Sequence, residues 1–378
     1  MNKFYIGTLN NISDKGISRF TDNYKIIDDI GKANGIIVRS YKMNDMRFSE
    51  NLLAIARAGS GVNNIPVENC SNQGIVVFNT PGANSNAVKE IVISAMIMGA
   101  RNMYEGISWG QTLEGDVTTL VEKGKKQFSG TEISGKTIGI VGLGAIGGRI
   151  ANATSALGMN VVGYEPYEPN PCLKVPVKRY DDIDEMLGVC DFVSIHVPSL
   201  PSTRAKVNRD FIEKMKDGAI LLNYSRADIV VPADIIDAVE SGKLYKYITD
   251  LLEAEYIGKK GIIATPHIGA STEEAEENCA IMATDQLMGY LDNGNIVNSV
   301  NYPDVSLERI PDSKRHCLAL RAHNDADTVK SKLAEFYGDS LMEIVGDKKG
   351  EIAYFIIDLK NDCEKIFECD CVIRARVI

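Results

Sequence analysis

Histidine and tryptophan are scarce in this chain, with four of the first and one of the second. Cysteine never takes a metal-ligand spacing: the eight cysteines include no CxxC pair, and only Cys369 and Cys371 stand close, at CxC spacing. With so few imidazoles and no ligand cluster, no metal site is expected, and the thiols are expected to be reduced. An excess of basic charge is missing too. The net charge of −10 argues against nucleic acid as a partner, and it means that an anionic substrate needs a local basic cluster to offset the general field. Long apolar runs are absent. The most apolar stretch, 91–100, is only half a membrane span, and the opening MNKFYIGTLN lacks the apolar core of a signal peptide. The expectation is a cytoplasmic protein with no membrane anchor.

What is present is globular. A chain of 378 residues with 44% hydrophobic content is too long for one ordinary core, so two or three domains are expected. Short apolar runs at 35–39, 54–58 and 74–78 read as buried parallel strands. Residues 84–103 then read as one long helix, apolar at Val88, Ile91, Val92, Ala95 and Met96. After the polar segment 110–135, strands are expected at 137–141, 160–164, 192–196, 219–223, 247–250 and 261–264, alternating with helical patterns. Such alternation means α/β architecture with doubly wound parallel sheets. A helix at 273–291 and a linker at 295–311 follow, and the last seventy or so residues read as a small βαββαβ ferredoxin-like unit. The domains expected are a substrate lobe of 1–98 plus 281–302, a nucleotide lobe of 99–280, and a C-terminal domain of 311–378.

The sharpest motif is Gly142-Leu-Gly144-Ala-Ile-Gly147. A GxGxxG alone is weak evidence, but this one follows the apolar strand IGIV, opens a helix, and is succeeded by a strand that ends in Glu165. Gly142 allows the tight turn, Gly144 lets the backbone approach a pyrophosphate, and Gly147 permits close helix–strand packing. Glu165 stands where a carboxylate accepts from ribose hydroxyls and repels a 2′-phosphate. NAD is therefore the cofactor expected.

Moving a hydride to nicotinamide from a carbon bearing a hydroxyl needs a base, a cation for the substrate carboxylate, and a group that tunes the base. Histidine, arginine and a carboxylate suit these roles. One candidate for each stands just past a later strand: Arg226 after AILLNYS, Glu255 after YIT, and His267 after IIATP. His196 also ends a strand, but it falls where the cofactor is expected and is the weaker base.

The segments GLGAIG (142–147), HVPSLPST (196–203), NYSRADIVV (223–231), ITDLLEAE (248–255) and TPHIGAST (265–272) resemble those of the D-isomer-specific 2-hydroxyacid dehydrogenases. The resemblance runs nearly the whole length; one departure is Ala227, where the family usually has Gly. It implies Arg226 as the substrate-binding arginine, His267 as acid/base and Glu255 as its partner. It implies cofactor contacts at Thr80, Ala145, Ile146, Glu165, Val197, Pro198, Thr203, Tyr224, Ser225, Asp250, Gly269 and Ala270. Within the family, the chain is most similar to members that act on 3-phospho-D-glycerate. Val38-Arg39-Ser40 resembles the segment that sets an arginine near the phosphate, and the loop Arg57-Ala-Gly59-Ser60-Gly61-Val-Asn63 the one whose amides hold the carboxylate; Asn79-Thr-Pro-Gly82 continues that site. Lys123, Lys125 and Lys126 would add local positive charge. The reaction so implied yields 3-phosphohydroxypyruvate, the entry to L-serine synthesis. The C-terminal residues resemble an ACT regulatory domain, although His323-Asn-Asp-Ala replaces the usual Pro-Gly of the effector loop, so a module that only serves oligomerisation fits equally. A homodimer through the nucleotide lobe, or a tetramer, is implied. The alternatives are a dehydrogenase of lactate, glycerate or phosphoerythronate, and an NAD-sensing corepressor-type scaffold.

Overall fold

The computed structural model describes residues 3–378. The chain forms two compact units: the part up to Asn84 together with Glu273–Ile378, and Ser85–Thr272. In the first unit, β1 (Phe4–Leu9), β2 (Tyr24–Ile27), β3 (Gly35–Val38), β4 (Ala54–Arg57) and β5 (Val76–Phe78) form a parallel sheet in the order β2-β1-β3-β4-β5. β3 and β5 are buried at every position, as strands covered on both faces must be. Ile37, Ala56 and Phe78 face one core with Ala283, Leu287 and Leu291 of the helix Glu273–Asn293, whereas Ile36, Val38 and Val77 face the other. The sequence does not announce β2: its four residues are half exposed at the sheet edge and carry no clean alternation.

The second unit holds β6 (Thr137–Val141), β7 (Asn160–Tyr164), β8 (Lys178–Arg179), β9 (Phe192–Ile195), β10 (Ala219–Asn223), β11 (Leu244–Thr249) and β12 (Ile262–Ala264). They form a parallel sheet in the order β12-β11-β10-β9-β6-β7-β8. The doubly wound arrangement is the one expected, and its strand order reverses between β6 and β9, where such sheets bind ligands at their carboxyl ends. Burial on both faces explains the unbroken apolar run AILL. Ile220 and Leu222 point to one core and Ala219 and Leu221 to the other, with the period of two that a strand imposes.

The helix expected over 84–103 forms as Ser85–Ala100, and a second, unexpected helix follows it. Ser85–Ala100 ends before Asn102, whose left-handed φ of 52° turns the chain into Met103–Gly110. Asparagine tolerates that conformation better than most residues. The polar segment after it also carries a short helix, Val117–Gly124, capped by the Asp116 side chain.

Beyond the helix Glu273–Asn293, the first unit continues with β13 (Ser313–Arg321), the helix Ala326–Tyr337, β14 (Leu341–Lys349), β15 (Ile352–Lys360) and β16 (Val372–Val377). These strands are antiparallel in the order β14-β15-β13-β16. The second helix expected before β16 does not form. Cys363 is buried there, its carbonyl accepts from Lys314 Nζ (2.9 Å), and Phe367 packs edge-on against Phe336; side chains from neighbouring elements thus anchor a turn segment. Cys369 and Cys371, expected as thiols, are joined by a disulfide; their Cα atoms are 5.2 Å apart, within bridging range.

One face of this sheet joins the core of the parallel sheet: Cys317, Ala319, Tyr354 and Ile356 cluster with Ile6, Phe78 and Leu287. Arginines complete the junction. Arg374 donates to the carbonyls of Leu52 and Gln73, and Arg376 to those of Tyr290 and Leu291. The fully buried Arg315 donates to Asp358 and to the carbonyls of Asn293, Leu307 and Glu308.

Candidate active site

The loop after β6 is built around its glycines. Gly142 has φ 96°, and a Cβ there would lie 2.7 Å from the His196 carbonyl oxygen. A Cβ on Gly147 would lie 1.9 Å from the Gly142 oxygen, so the helix can come this close to the strand only without side chains. At Gly144 a Cβ would meet nothing within 4 Å, and this residue begins the helix Ala145–Ala156 with no side-chain cap. Unspent amide donors at a helix start, opening on empty space, fit a pyrophosphate. Ala145 and Ile146 form the first turn of that helix.

Glu165 follows β7. Its Oε2 accepts from the Leu143 N–H (2.8 Å) and its Oε1 from the Tyr167 N–H (3.1 Å), which ties the acidic residue to the glycine loop and leaves lone pairs for hydroxyls. It lines a polar cavity of about 440 Å³ together with Tyr164, Pro166, Arg179, Tyr180 and Asp181. Arg179 is not among the residues that the sequence points to. Its only signal is a two-residue strand, β8, paired with Gly163.

Across the sheet, β10, β11 and β12 are neighbours, and Arg226, Glu255 and His267 leave their carboxyl ends in turn. The Arg226 turn is held by fully buried Asn223, whose Nδ2 donates to the Arg226 carbonyl (3.1 Å) and whose Oδ1 accepts from Ser225 N–H (3.1 Å). Ser225 Oγ in turn donates to the Val197 carbonyl. Thr203 braces the loop after β9 by donating to the Pro198 carbonyl (2.6 Å) and accepting from Leu200 N–H (2.8 Å). Tyr224 is buried, and burial pushes its phenol well above the ordinary range. Glu255 sits in a short turn, Ala254–Tyr256, whose Tyr256 ring meets Tyr247 edge-on at 5.5 Å.

Asp250 holds the His267 loop. Its Oδ1 accepts from Thr265 Oγ1 (2.6 Å) and from Ile268 N–H (2.7 Å), and its Oδ2 from Gly269 N–H. Between these anchors His267 takes a left-handed φ of 58°, and its side chain is exposed. Glu255 is exposed as well. Among the described residues the two share no hydrogen bond or ion pair, although the same sheet edge presents both. Ala270 packs against the core beside Ile91. His196 donates to or accepts from Ser194 Oγ through Nε2 (2.7 Å), and burial lowers its pKa to about 3.

The remaining candidates belong to the first unit. The N–H groups of Arg39, Ser40 and Tyr41 converge on Asn10 Oδ1 at 3.4, 2.9 and 2.8 Å. Arg39 Nη2 pairs with Glu276 Oε1 at 2.5 Å. The Arg39 carbonyl accepts from Arg57 Nε (3.1 Å), and a Cβ on Gly59 would lie 1.9 Å from Arg57 Nη1. Arg57 is thus a second cation at the glycine loop, part of the motif but not expected as a contact. The Gly59 N–H is spent on the Arg57 carbonyl (2.9 Å), whereas among the described residues those of Ser60 and Gly61 have no partner within the chain. Asn79 Nδ2 braces the loop at the Ser60 carbonyl (2.7 Å), and fully buried Thr80 gives its N–H to the Gly59 carbonyl (3.1 Å).

The family model for the D-isomer specific 2-hydroxyacid dehydrogenase NAD binding domain matches residues 93–269. A D-3-phosphoglycerate dehydrogenase of Methanocaldococcus jannaschii is 32% identical over 85% of this chain, which spans 59% of that protein's length. A hydroxypyruvate reductase of Thermotoga maritima is 36% identical over 63% of this chain and 77% of its own. Among solved structures, a 3-phosphoglycerate dehydrogenase of Entamoeba histolytica with NAD+ bound is similar at a TM-score of 0.64 and 28% identity, covering 79% of this chain and 99% of that one.

Proposed function

This chain belongs to the D-isomer specific 2-hydroxyacid dehydrogenase family and is an NAD-dependent oxidoreductase; on that premise we propose that it oxidises 3-phospho-D-glycerate to 3-phosphohydroxypyruvate, the first step of L-serine biosynthesis. The observation that carries the chemistry is the exit of Arg226, Glu255 and His267 from the carboxyl ends of three neighbouring strands. His267 takes the proton of the C2 hydroxyl. Arg226 offers its planar fork to the substrate carboxylate. Glu255 orients His267 and favours its protonated form. NAD, when bound, supplies the hydride acceptor; Gly142, Gly144 and the uncapped helix start would hold its pyrophosphate, and Glu165 its ribose. Arg39 and the free amides of Ser60 and Gly61 supply donors for the anionic ends of the substrate.

The test is NADH formation with a panel of 2-hydroxy acids, with His267→Ala as control. The expected result is the highest kcat/KM for 3-phosphoglycerate, and a loss of at least about 10²-fold in the variant. Equal or better turnover of lactate sinks the substrate assignment, and a variant as active as the parent sinks the role of His267. A second reading, an unphosphorylated 2-hydroxy acid, is favoured by the Arg39–Glu276 ion pair, which sets a carboxylate beside the proposed phosphate ligand.

The strand order of the C-terminal sheet supports an ACT-like regulatory or pairing domain, and adding L-serine to the same assay tests the regulatory role. Pairing of two copies through the nucleotide unit is supported by the exposed Met103, Tyr104, Ile107, Val117 and Leu120; light scattering of the purified protein decides it. No helix of the described residues is long and apolar enough to cross a membrane, and a cytoplasmic location goes with that assignment.

A further inference from the structure

We propose that Glu276 is a specificity-determining residue: it competes with the substrate's distal anion for Arg39 and so sets how strongly a phosphorylated acid is preferred over an uncharged-ended one. This rests on the reading of Arg39 as the residue facing that end of the substrate. Three observations carry it. The first is the pair itself, Arg39 Nη2 to Glu276 Oε1 at 2.5 Å, with side chains 40% and 42% exposed. Both groups stay in reach of a solute, and neither is locked in the core.

The second is how little else Arg39 can offer. Its own N–H and those of Ser40 and Tyr41 are spent on Asn10, and its carbonyl on Arg57. The Arg39 backbone is fixed, so of Arg39 itself an incoming anion meets only the guanidinium, with Arg57 standing beside it on the Arg39 carbonyl. The third is the charge around it. Glu276 lies in the first turn of the helix Glu273–Asn293 with Glu273 and Glu274, and Glu277 follows, paired with Lys15 at 2.7 Å. A cation held against a helix start so rich in carboxylates is already satisfied.

A phosphate dianion roughly 6 Å from one carboxylate in a water-like medium is disfavoured about tenfold. A terminal hydroxyl feels no such penalty. Glu276 therefore weakens binding of the phosphorylated acid while leaving the chemistry at C2 to other residues.

The experiment compares the wild type with Glu276→Gln, which keeps the shape and removes the charge, and with Glu276→Asp, which keeps the charge. KM and kcat are measured for 3-phosphoglycerate and for D-glycerate, and circular dichroism checks folding, with Glu276→Ala as a second neutral variant. The expected result is that the kcat/KM ratio of phosphorylated to unphosphorylated acid rises about tenfold in Glu276→Gln, through KM of the phosphorylated acid, and that Glu276→Asp keeps the wild-type ratio. An unchanged ratio overturns the proposal. So does a higher KM for 3-phosphoglycerate, which would make Glu276 a support that orients Arg39. If the wild type turns over a different 2-hydroxy acid and not 3-phosphoglycerate, the substrate reading fails by itself. The inference is then decided by 3-phosphoglycerate as a competitive inhibitor: a Ki about tenfold lower in Glu276→Gln supports it, and an equal or higher Ki overturns it.

Discussion

Replacing Asp250 by Asn separates two roles for this carboxylate, holding the His267 loop and touching the cofactor. Asp250 is 4% exposed and accepts three hydrogen bonds, from Thr265 Oγ1, Ile268 N–H and Gly269 N–H. Asparagine has the same size, so no cavity opens. Its amide nitrogen, however, must face one of these donors whichever way it is turned. If Oδ1 stays toward Thr265 and Ile268, a charge-assisted bond to Gly269 of about 1.5–3 kcal/mol is lost and a buried N–H is left unpaired at about 1–3 kcal/mol. The sum, roughly 2.5–6 kcal/mol, outweighs over most of its range the roughly 1–3 kcal/mol stored in a non-glycine residue held in a sparsely populated backbone region, and His267 is such a residue at φ 58°. The loop is therefore expected to relax. A misplaced base costs kcat about 10²–10³-fold, equivalent to about 3–4 kcal/mol, while KM for NAD moves less than about threefold. Thr265→Val removes only the hydroxyl bond to the same carboxylate, about 1.5–3 kcal/mol, leaves both N–H bonds in place, and costs kcat about tenfold to a hundredfold. Steady-state kinetics with saturating substrate and varied NAD read both parameters, and a thermal melt confirms folding. A variant with wild-type kcat and a KM for NAD raised a hundredfold would refute the reasoning and make Asp250 a cofactor ligand alone.

Arg315→Met takes the paired cation from the fully buried Asp358, which keeps the Ile310 N–H (3.4 Å), and the Arg315 donor from three carbonyls. It should cost about 3–5 kcal/mol, which lowers the melting temperature by roughly 6–20 °C, and Arg315→Met with Asp358→Leu should recover the part due to the unpaired carboxylate, the three carbonyls staying without Arg315; a single variant melting like the parent refutes the clamp. Gly147→Ala drives a methyl into the Gly142 oxygen and is expected to raise the Kd for NAD at least about tenfold, read by titrating protein fluorescence; unchanged affinity would mean the helix has room to move. His196 is held near pKa 3 by burial, against about 6.5 in the unfolded chain. Between these values the unfolded state binds the extra proton, so this contribution to stability is complete above pH 6.5 and is lost as pH falls toward 3. Urea unfolding across that window should show a shallower pH slope in His196→Asn, and an identical slope would remove His196 from the account.

Much of the site is legible in the amino-acid sequence because its signals are local. The turn between β6 and its helix needs glycines at fixed spacing, and the buried strands need apolar runs bounded by turn residues. Both demands are met by neighbours in the chain. Asn10 is the opposite case: nothing near it in sequence suggests that its side chain fixes the Arg39 turn. Arg179 escapes notice because two residues are too few for a strand pattern to register.

The chain alone settled the α/β architecture, the dinucleotide fingerprint at 142–147, and the positions of Arg226, Glu255 and His267 past successive strands, since propensity, period and turn chemistry act over a few residues. Only the tertiary structure decided which partners these elements take. It tied Asp250 to the His267 loop, set Glu276 against Arg39, replaced the last expected helix with a turn segment anchored at Cys363 and Phe367, and seated the C-terminal sheet on the first unit's core through Arg315, Arg374 and Arg376. Charges and hydrogen bonds reach across space to whatever the fold brings within about 3 Å, and that adjacency is a property of the packed chain.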